Sequence, residues 1–266
     1  MNDRVSISIT DGVADVRLVR ADKMNALDMA MFDALVAAAT RLKTEKGVRA
    51  VVLSGEGKAF CAGLDMGRFQ TMGSGQGTGR KEDLAVRSHG IANQPQYAVW
   101  GWRELPVPVI AAVHGVAFGG GFQLALGADM RFLAPDARMS IMEIKWGLVP
   151  DMAGTPILAS LVRDDILRDL TYTGRIFSAQ EAMSYGLATR ICDDPRAVAL
   201  EVAREIANKS PDAIRAAKRL LNRLSVDPAP ALLAESIEQK ALIGSANQIE
   251  AVKANLDKRA PKFAEA

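Results

Sequence analysis

The stretch "AAVHGVAFGGGFQLALGADMRF" (111–132) decides the fold class of this chain of 266 residues. Its first part is a short apolar run typical of a buried strand, and the residues after the three glycines 119–121 are typical of a helix. Glycines between a strand and a helix let the backbone approach a ligand closely. A strand, a glycine turn and a helix in succession are typical of α/β proteins.

The same alternation continues towards the N-terminus. The segment "VSISITDGVADVRLV" (5–19) predicts a β-hairpin that turns at Asp11 and Gly12. A helix is expected to begin after the N-cap residue Asp28 and to end before Gly47. Further short apolar runs predict strands at 49–55 and 129–134. Residues 1–194 are therefore predicted to form an α/β domain with largely buried strands.

The chain changes character after Pro195. Four helical patterns follow with no strand pattern between them, at 196–210, 211–225, 228–244 and 247–259. Their apolar faces need a partner, which is either the α/β domain or a neighbouring subunit. We favour the second interpretation, so residues 195–266 are predicted to form a helical oligomerisation region.

Composition excludes several classes of function. Hydrophobic residues make up 49% and charged residues 24% of the chain, and the formal net charge is only +2. No basic stripe suggests nucleic acid, and the two distant cysteines and two histidines suggest neither a disulfide framework nor a metal site. The N-terminus "MNDRVSISIT" is unlike a signal peptide, and no apolar run is long enough for a membrane span. A cytoplasmic protein without membrane partners is expected.

Two glycine-containing junctions carry the functional signal. The segments "FCAGLDM" (60–66) and "FGGGFQL" (118–124) each follow a strand pattern and open a helix pattern. Neither the Rossmann nor the phosphate-loop motif fits, and no G-x-S-x-G motif is present. Unpaired amides at helix starts point outward, so two that converge would form an oxyanion hole. Taken alone, the triple glycine is more typical of a tight packing turn than of a functional site.

Five segments in order resemble the crotonase superfamily, that of enoyl-CoA hydratases and isomerases. They are "KAFCAGLDM" (58–66), "AVHGVAFGGGFQLALGADMRF" (112–132), "MEIKWGLVPDMAGT" (142–155), "YTGRIFSAQEAMSYGLATRI" (172–191) and "DKRAPKF" (257–263). The resemblance runs from about Val5 to Phe263. It implies a spiral of ββα units whose helical C-terminal region builds homotrimers or dimers of trimers. It also implies an acyl-CoA thioester substrate, with coenzyme A as part of the substrate and no separate cofactor or metal.

The resemblance also assigns binding positions. The two oxyanion-hole amides fall on Leu64 and Gly120, where they would hold the thioester carbonyl and stabilise an enolate. Only the main chain acts at these positions, so Leu64 in place of the family's usual alanine is tolerable. Contacts with coenzyme A are implied for six further residues, which are Lys23, Ala26, Ala62, Asp65, Met66 and Lys258.

The acid–base positions are where this chain departs from the hydratases it resembles. Such enzymes hold water between two glutamates, and the matching residues here are Gln123 and Glu143. An amide cannot transfer a proton near neutral pH, so Gln123 is expected to orient its neighbours and hydration is disfavoured. Asp151 resembles the aspartate of dienoyl-CoA isomerases, and monoenoyl-CoA isomerases use one glutamate. The prediction is therefore double-bond isomerisation, with Glu143, Asp151 and Gln123 as the catalytic set.

Four alternatives stay open at this point. The chain could be an enoyl-CoA hydratase with an atypical Gln123, or an acyl-CoA binding protein without turnover. Asp151 could simply cap the next helix, because "PDMAGT" (150–155) is favourable helix-start chemistry. Gln123 could equally be a structural hydrogen-bonding residue. A peptidase of the same fold has little support, because no suitably placed serine–histidine pair is found.

Overall fold

The computed structural model describes residues 3–68, 84–222, 246–247, 250, 254 and 259–265. Within these ranges the strands are β1 Val5–Thr10, β2 Val13–Leu18, β3 Ala50–Gly55, β4 Val109–Val113, β5 Val116–Phe118, β6 Met130–Leu133, β7 Arg138–Ser140, β8 Phe177–Ser178 and β9 Arg190–Ile191. The α-helices are α1 Met29–Thr44, α2 Gln94–Arg103, α3 Gly120–Leu126, α4 Gly154–Leu158, α5 Asp164–Thr173, α6 Ala179–Ser184, α7 Pro195–Ala207 and α8 Pro211–Asn222. No helix in the described ranges is long and apolar enough to cross a membrane.

The strands form two sheets, which confirms the predicted α/β class. The larger sheet has the order β1-β2-β3-β4-β6-β9, and the smaller one has the order β5-β7-β8. The predicted hairpin is present, since β1 and β2 pair antiparallel around Asp11 and Gly12, both with positive φ. From β2 to β9 the neighbours in the larger sheet are parallel. Helix α1 begins as predicted, because the Asp28 carboxylate accepts a hydrogen bond of 2.8 Å from the Met31 amide.

Both faces of the larger sheet are buried at its central strands β3 and β4, as their apolar patterns indicate. Alternate strand residues point to opposite faces, so Val51 and Leu53 join the core under α1 while Val52 joins a second core. That second core is covered by α7, which contributes Ala199, Ala203 and Ala207 at four-residue spacing. Alanines on one helical stripe allow the helix to lie close to the sheet.

The position of α7 bears on the predicted oligomerisation region. Helices α7 and α8 match the first two of the four predicted helical patterns. Helix α7 packs on the sheet of its own chain, and the division of the chain into two regions at 194/195 stays a prediction. The segment 228–244 and nearly all of 247–259 lie outside the described residues, so the role of this region in trimer formation stays a prediction.

The parallel strands β3 and β4 bring the two glycine-containing junctions together. They are neighbours in the larger sheet, with Val51 opposite Val109, so their carboxyl ends lie at the same edge. In sheets of this kind ligands bind beyond the carboxyl ends of the strands. The chain then enters the smaller sheet, where β7 lies beside β5 and pairs Ser140 with Phe118. This pairing carries Glu143, three residues further on, towards the triple glycine.

Candidate active site

The two junctions run side by side. Cys61 and Ala117 form a parallel bridge, the Cys61 amide donates to the Val116 carbonyl at 3.1 Å, and the Phe118 amide donates to the Cys61 carbonyl at 3.1 Å. A Cβ atom on Gly63 would lie 2.5 Å from the Phe118 carbonyl oxygen and 3.7 Å from the Gly120 nitrogen. Only glycine at position 63 therefore lets the segment that carries Leu64 lie against the start of α3.

The amides of Leu64 and Gly120 are available to a ligand. Hydrogen bonds on both sides hold Leu64, since the Leu27 amide donates to Gly63 at 2.7 Å and the Asp65 amide donates to Leu27 at 3.2 Å. Gly120 is the first residue of α3, where an amide has no acceptor within the helix. Neither amide has a hydrogen-bond acceptor among the residues that the structure describes. Two such donors beside one cavity can form an oxyanion hole.

A cavity of about 980 Å³ opens beside these amides. Leu64, Gly120, Glu143 and Asp151 all line it. Its wall is mostly apolar, with side chains suited to an acyl chain, namely Met24, Leu27, Phe32, Leu84, Phe118, Met142, Trp146, Leu148, Val149 and Met152. A Cβ on Gly120 would lie 2.8 Å from both Leu27 Cδ1 and Met152 Sδ, so the glycine keeps this wall open.

The residues predicted to contact coenzyme A line the same cavity as far as they are described. This holds for Lys23, Ala26, Ala62, Asp65 and Met66. Lys258 lies outside the described residues, so its contact with coenzyme A stays a prediction.

Arg20 also lines this cavity, and no pattern in the sequence marks it as a functional residue. Its guanidinium donates to the Asp65 carboxylate at 2.6 Å and to the Ala26 carbonyl at 3.0 Å. Burial alone would raise the pKa of Asp65, but the Gly67 amide and Arg20 outweigh that effect and hold it below the usual value. Asp65 thus fixes the chain directly after Leu64 through an ion pair. Within the segment 20–27, no sequence pattern distinguishes this arginine from an ordinary surface charge.

Gln123 lies behind the cavity wall. Its side chain is buried, and it is not among the described residues that line the cavity. Its carbonyl oxygen accepts hydrogen bonds from the amides of Met152 at 2.9 Å and Gly154 at 3.0 Å, while its Nε2 donates to Glu143 Oε1 at 2.6 Å. The residue therefore joins the start of α4 to the carboxylate of Glu143.

Glu143 is a buried carboxylate with one unsatisfied oxygen. The residue is only 8% exposed, and its Oε2 has no hydrogen-bond partner in the described part of the chain. Burial raises the pKa of Glu143, and the nearby charge of Asp151 raises it further, against the hydrogen bonds from its own amide and from Gln123. Such a carboxyl group accepts and releases protons nearer to neutral pH than an exposed one does. Asp151 is exposed and lines the same cavity.

The other titratable candidates are structural. His114 Nε2 lies 3.0 Å from the Gly57 carbonyl oxygen, which fixes a turn. Complete burial raises the pKa of the Cys61 thiol to about 12, so it is not a nucleophile at neutral pH. Across the described ranges, no group of three or more histidine, cysteine, aspartate or glutamate side chains is arranged to hold a metal ion.

Known proteins share this architecture over nearly the whole chain. Residues 8–266 match the family model described as enoyl-CoA hydratase/isomerase. The chain is 30% identical to the mitochondrial methylglutaconyl-CoA hydratase of Mus musculus over 95% of its own length and 79% of the relative. It is 29% identical to the carnitinyl-CoA dehydratase of Proteus mirabilis (strain HI4320) over 99% of both chains.

A solved structure of an enoyl-CoA hydratase has the same fold. The enoyl-CoA hydratase from Bacillus anthracis superimposes with a TM-score of 0.87 at 30% identity, over 98% of both chains. The family match, the fold and the acyl-CoA names of these relatives agree with the resemblance carried by the five segments. The chain is an enzyme of the enoyl-CoA hydratase/isomerase family, within the crotonase superfamily.

Proposed function

We propose that this enzyme isomerises a double bond in an enoyl- or dienoyl-CoA through a thioester enolate. In this proposal the amides of Leu64 and Gly120 bind the thioester oxygen. Glu143 is the principal base and acid, and Asp151 is its proton-transfer partner. Coenzyme A belongs to the substrate, and no separate cofactor or metal is invoked.

One observation carries this proposal. The cavity presents a buried carboxylate with an unpaired oxygen, Glu143, while the position of a second glutamate holds Gln123, whose amide group is bonded away from the cavity. Hydration through two glutamates requires both groups to exchange protons with water. A double-bond shift needs one carboxylate to remove a proton and one carboxyl group to return it.

The proposed reaction moves a proton from one carbon of the acyl chain to another. Glu143 takes a proton from carbon, the electron pair moves towards the thioester carbonyl, and negative charge develops on its oxygen. Each amide aimed at that oxygen typically contributes about 10²–10³ in rate. The enolate or its conjugated dienolate then takes a proton at another carbon. The proton comes back from Glu143 over a short distance, or over a longer one from Asp151 in its protonated form, in which case solvent afterwards removes the proton from Glu143 and returns one to Asp151. No other reactant is consumed.

Hydration is the second candidate, and the names of relatives favour it. The mouse and Proteus mirabilis proteins are named a hydratase and a dehydratase, which add or remove water. In that case Glu143 alone would activate water and protonate the enolate, with Gln123 only holding it in place. An acyl-CoA binding protein without turnover is disfavoured, because the buried carboxylate and the two unused amides face one cavity.

A panel of three substrates separates these functions. Crotonyl-CoA, a 3-enoyl-CoA and a 3,5-dienoyl-CoA are followed spectroscopically with the wild type, Asp151→Asn and the exposed control Asp136→Asn. We expect isomerisation of a 3-enoyl or 3,5-dienoyl substrate, with the dienoyl reaction reduced about 10²-fold or more in Asp151→Asn only. Fast hydration of crotonyl-CoA without isomerisation would overturn the isomerase proposal. Tight binding of every thioester without spectral change would overturn catalysis altogether.

A further inference from the structure

The orientation of the Gln123 amide is fixed by its neighbours. Two main-chain donors, the amides of Met152 and Gly154, point at one end of the group, and the Glu143 carboxylate lies at the other. If the amide were flipped, its NH₂ would face two N–H donors, and its oxygen would face a carboxylate oxygen. The orientation with the carbonyl towards α4 and Nε2 towards Glu143 is therefore the only one that satisfies both main-chain amides and the carboxylate.

We propose that Gln123 is a positioning residue that makes Oε2 the single proton-carrying atom of Glu143. Oε1 receives the Nε2–H of Gln123, which occupies one of its lone pairs and makes it the weaker proton acceptor of the two oxygens. Oε2 is buried and has no partner among the described residues, and Glu143 lines the cavity. A proton taken from the substrate therefore resides on Oε2 and returns from it. This inference rests on the proposed role of Glu143 as base, and not on the choice between isomerisation and hydration.

A glutamate at position 123 would act differently. Its carboxylate would still accept from Met152 and Gly154, but its other oxygen would meet Glu143 Oε1 at the present 2.6 Å. Two carboxyl groups at this separation share one proton and titrate as a pair. The amide excludes that sharing because it donates a hydrogen that it does not release. Gln123 thus converts a two-carboxyl system into one carboxyl group with one active oxygen.

The charges around Glu143 allow a clear test. The field of Asp151 and the hydrogen bonds of Gln123 and of its own amide act on Glu143, beside its burial. Within the described ranges no other charged group acts on it. Removing the Gln123 donor must raise the pKa of Glu143, since a hydrogen bond to the ionised form is lost. A residue that only held α4 in place would lower the rate without moving this titration.

The experiment compares Gln123→Met, Gln123→Glu and the exposed control Gln180→Met in the full-length enzyme. The ionisation of Glu143 is followed by infrared difference titration against Glu143→Gln, which needs no turnover. The kcat/KM–pH profile is measured with the best substrate of the panel. We expect Gln123→Met to raise the pKa of Glu143 by about one unit, so that kcat/KM below the acid limb falls about tenfold. Gln123→Glu should shift it further, and Gln180→Met should leave it in place.

An unchanged Glu143 titration in both Gln123 variants would overturn the inference, whatever happened to the rate. If Gln123→Met fails to fold, Gln123→Glu decides alone, because its carboxylate keeps the two acceptor bonds to α4. The infrared titration also separates this inference from the proposed function. If the enzyme hydrates instead of isomerising, the infrared titration of Glu143 still shifts. If Glu143 is not the base, the infrared titration still shifts but the kcat/KM–pH profile does not.

Discussion

Two buried charged groups in this enzyme lie in opposite situations. Lys218 of α8 is 6% exposed, and its Nζ donates to the Asp129 carboxylate and the Val107 carbonyl, both at 2.8 Å. Glu143 is 8% exposed, but only one of its oxygens has a hydrogen-bond partner in the described residues. Burial lowers the pKa of Lys218 and raises that of Glu143, so desolvation disfavours the charge in both.

The difference in hydrogen-bond partners distinguishes a structural charged residue from a candidate catalytic one. The protein itself completes the environment of Lys218, because Asp129 opposes the effect of burial and also accepts from the Val109 amide at 2.7 Å. On Glu143, among the residues that the structure describes, the charge that acts is that of Asp151, and it adds to the effect of burial. A buried charge whose hydrogen bonds are all made within the protein holds secondary-structure elements together. A buried charge with an unsatisfied oxygen beside a cavity is a candidate for a functional role. Three mutations test this contrast.

Glu143→Gln should have the largest effect, and only on activity. Loss of the proton-transfer group is expected to lower kcat by about 10²–10⁴. Folding should be unaffected or favoured at neutral pH, because the raised pKa means that the ionised group costs stability above it. Steady-state kinetics and thermal unfolding check both points, with the exposed Glu205→Gln as control. A marked loss of stability would place Glu143 in the same class as Lys218.

Lys218→Met should lower the stability of the protein and leave its activity unchanged. Breaking a buried ion pair from one side leaves Asp129 partly unpaired, and we expect the free energy of unfolding to fall by roughly 3 kcal/mol. The value is at the low end of the usual range, because the Asp129 side chain is 24% exposed and keeps its bond to Val109. Denaturant unfolding measures it, with the exposed Lys209→Met as control. The kcat per folded molecule should stay unchanged, and a lower kcat would contradict a purely structural role.

Asp151→Asn should have a small effect on the titration of Glu143. Its negative charge raises the pKa of Glu143, so its removal should lower that pKa by less than about one unit. In the proposed mechanism the base form of Glu143 is the active one, and hence the acid limb of kcat/KM should move to lower pH. Asp136→Asn serves as the matched exposed control. A shift to higher pH would show that Asp151 and Glu143 do not interact as two like charges.

Much of the fold could be predicted from local patterns. The hairpin at Asp11 and Gly12, the cap of α1 at Asp28 and the alternation of buried strands with helices follow from turn chemistry, capping and periodicity. The two junctions at 60–66 and 118–124 could also be found, because the need for small residues near a ligand is local. The packing of α7 on its own sheet could not, since an alanine stripe fits any close-packed partner.

The sequence by itself determined the family, the α/β class and the replacement of a carboxylate by an amide at position 123. The tertiary structure decided what that amide does, because its partners Glu143, Met152 and Gly154 come from other elements. It also decided that Arg20 holds Asp65, which lies 45 positions along the chain. Periodicity and capping act between near neighbours in sequence. Hydrogen bonds between distant residues depend on strand order and on the shape of the cavity, which no local pattern encodes.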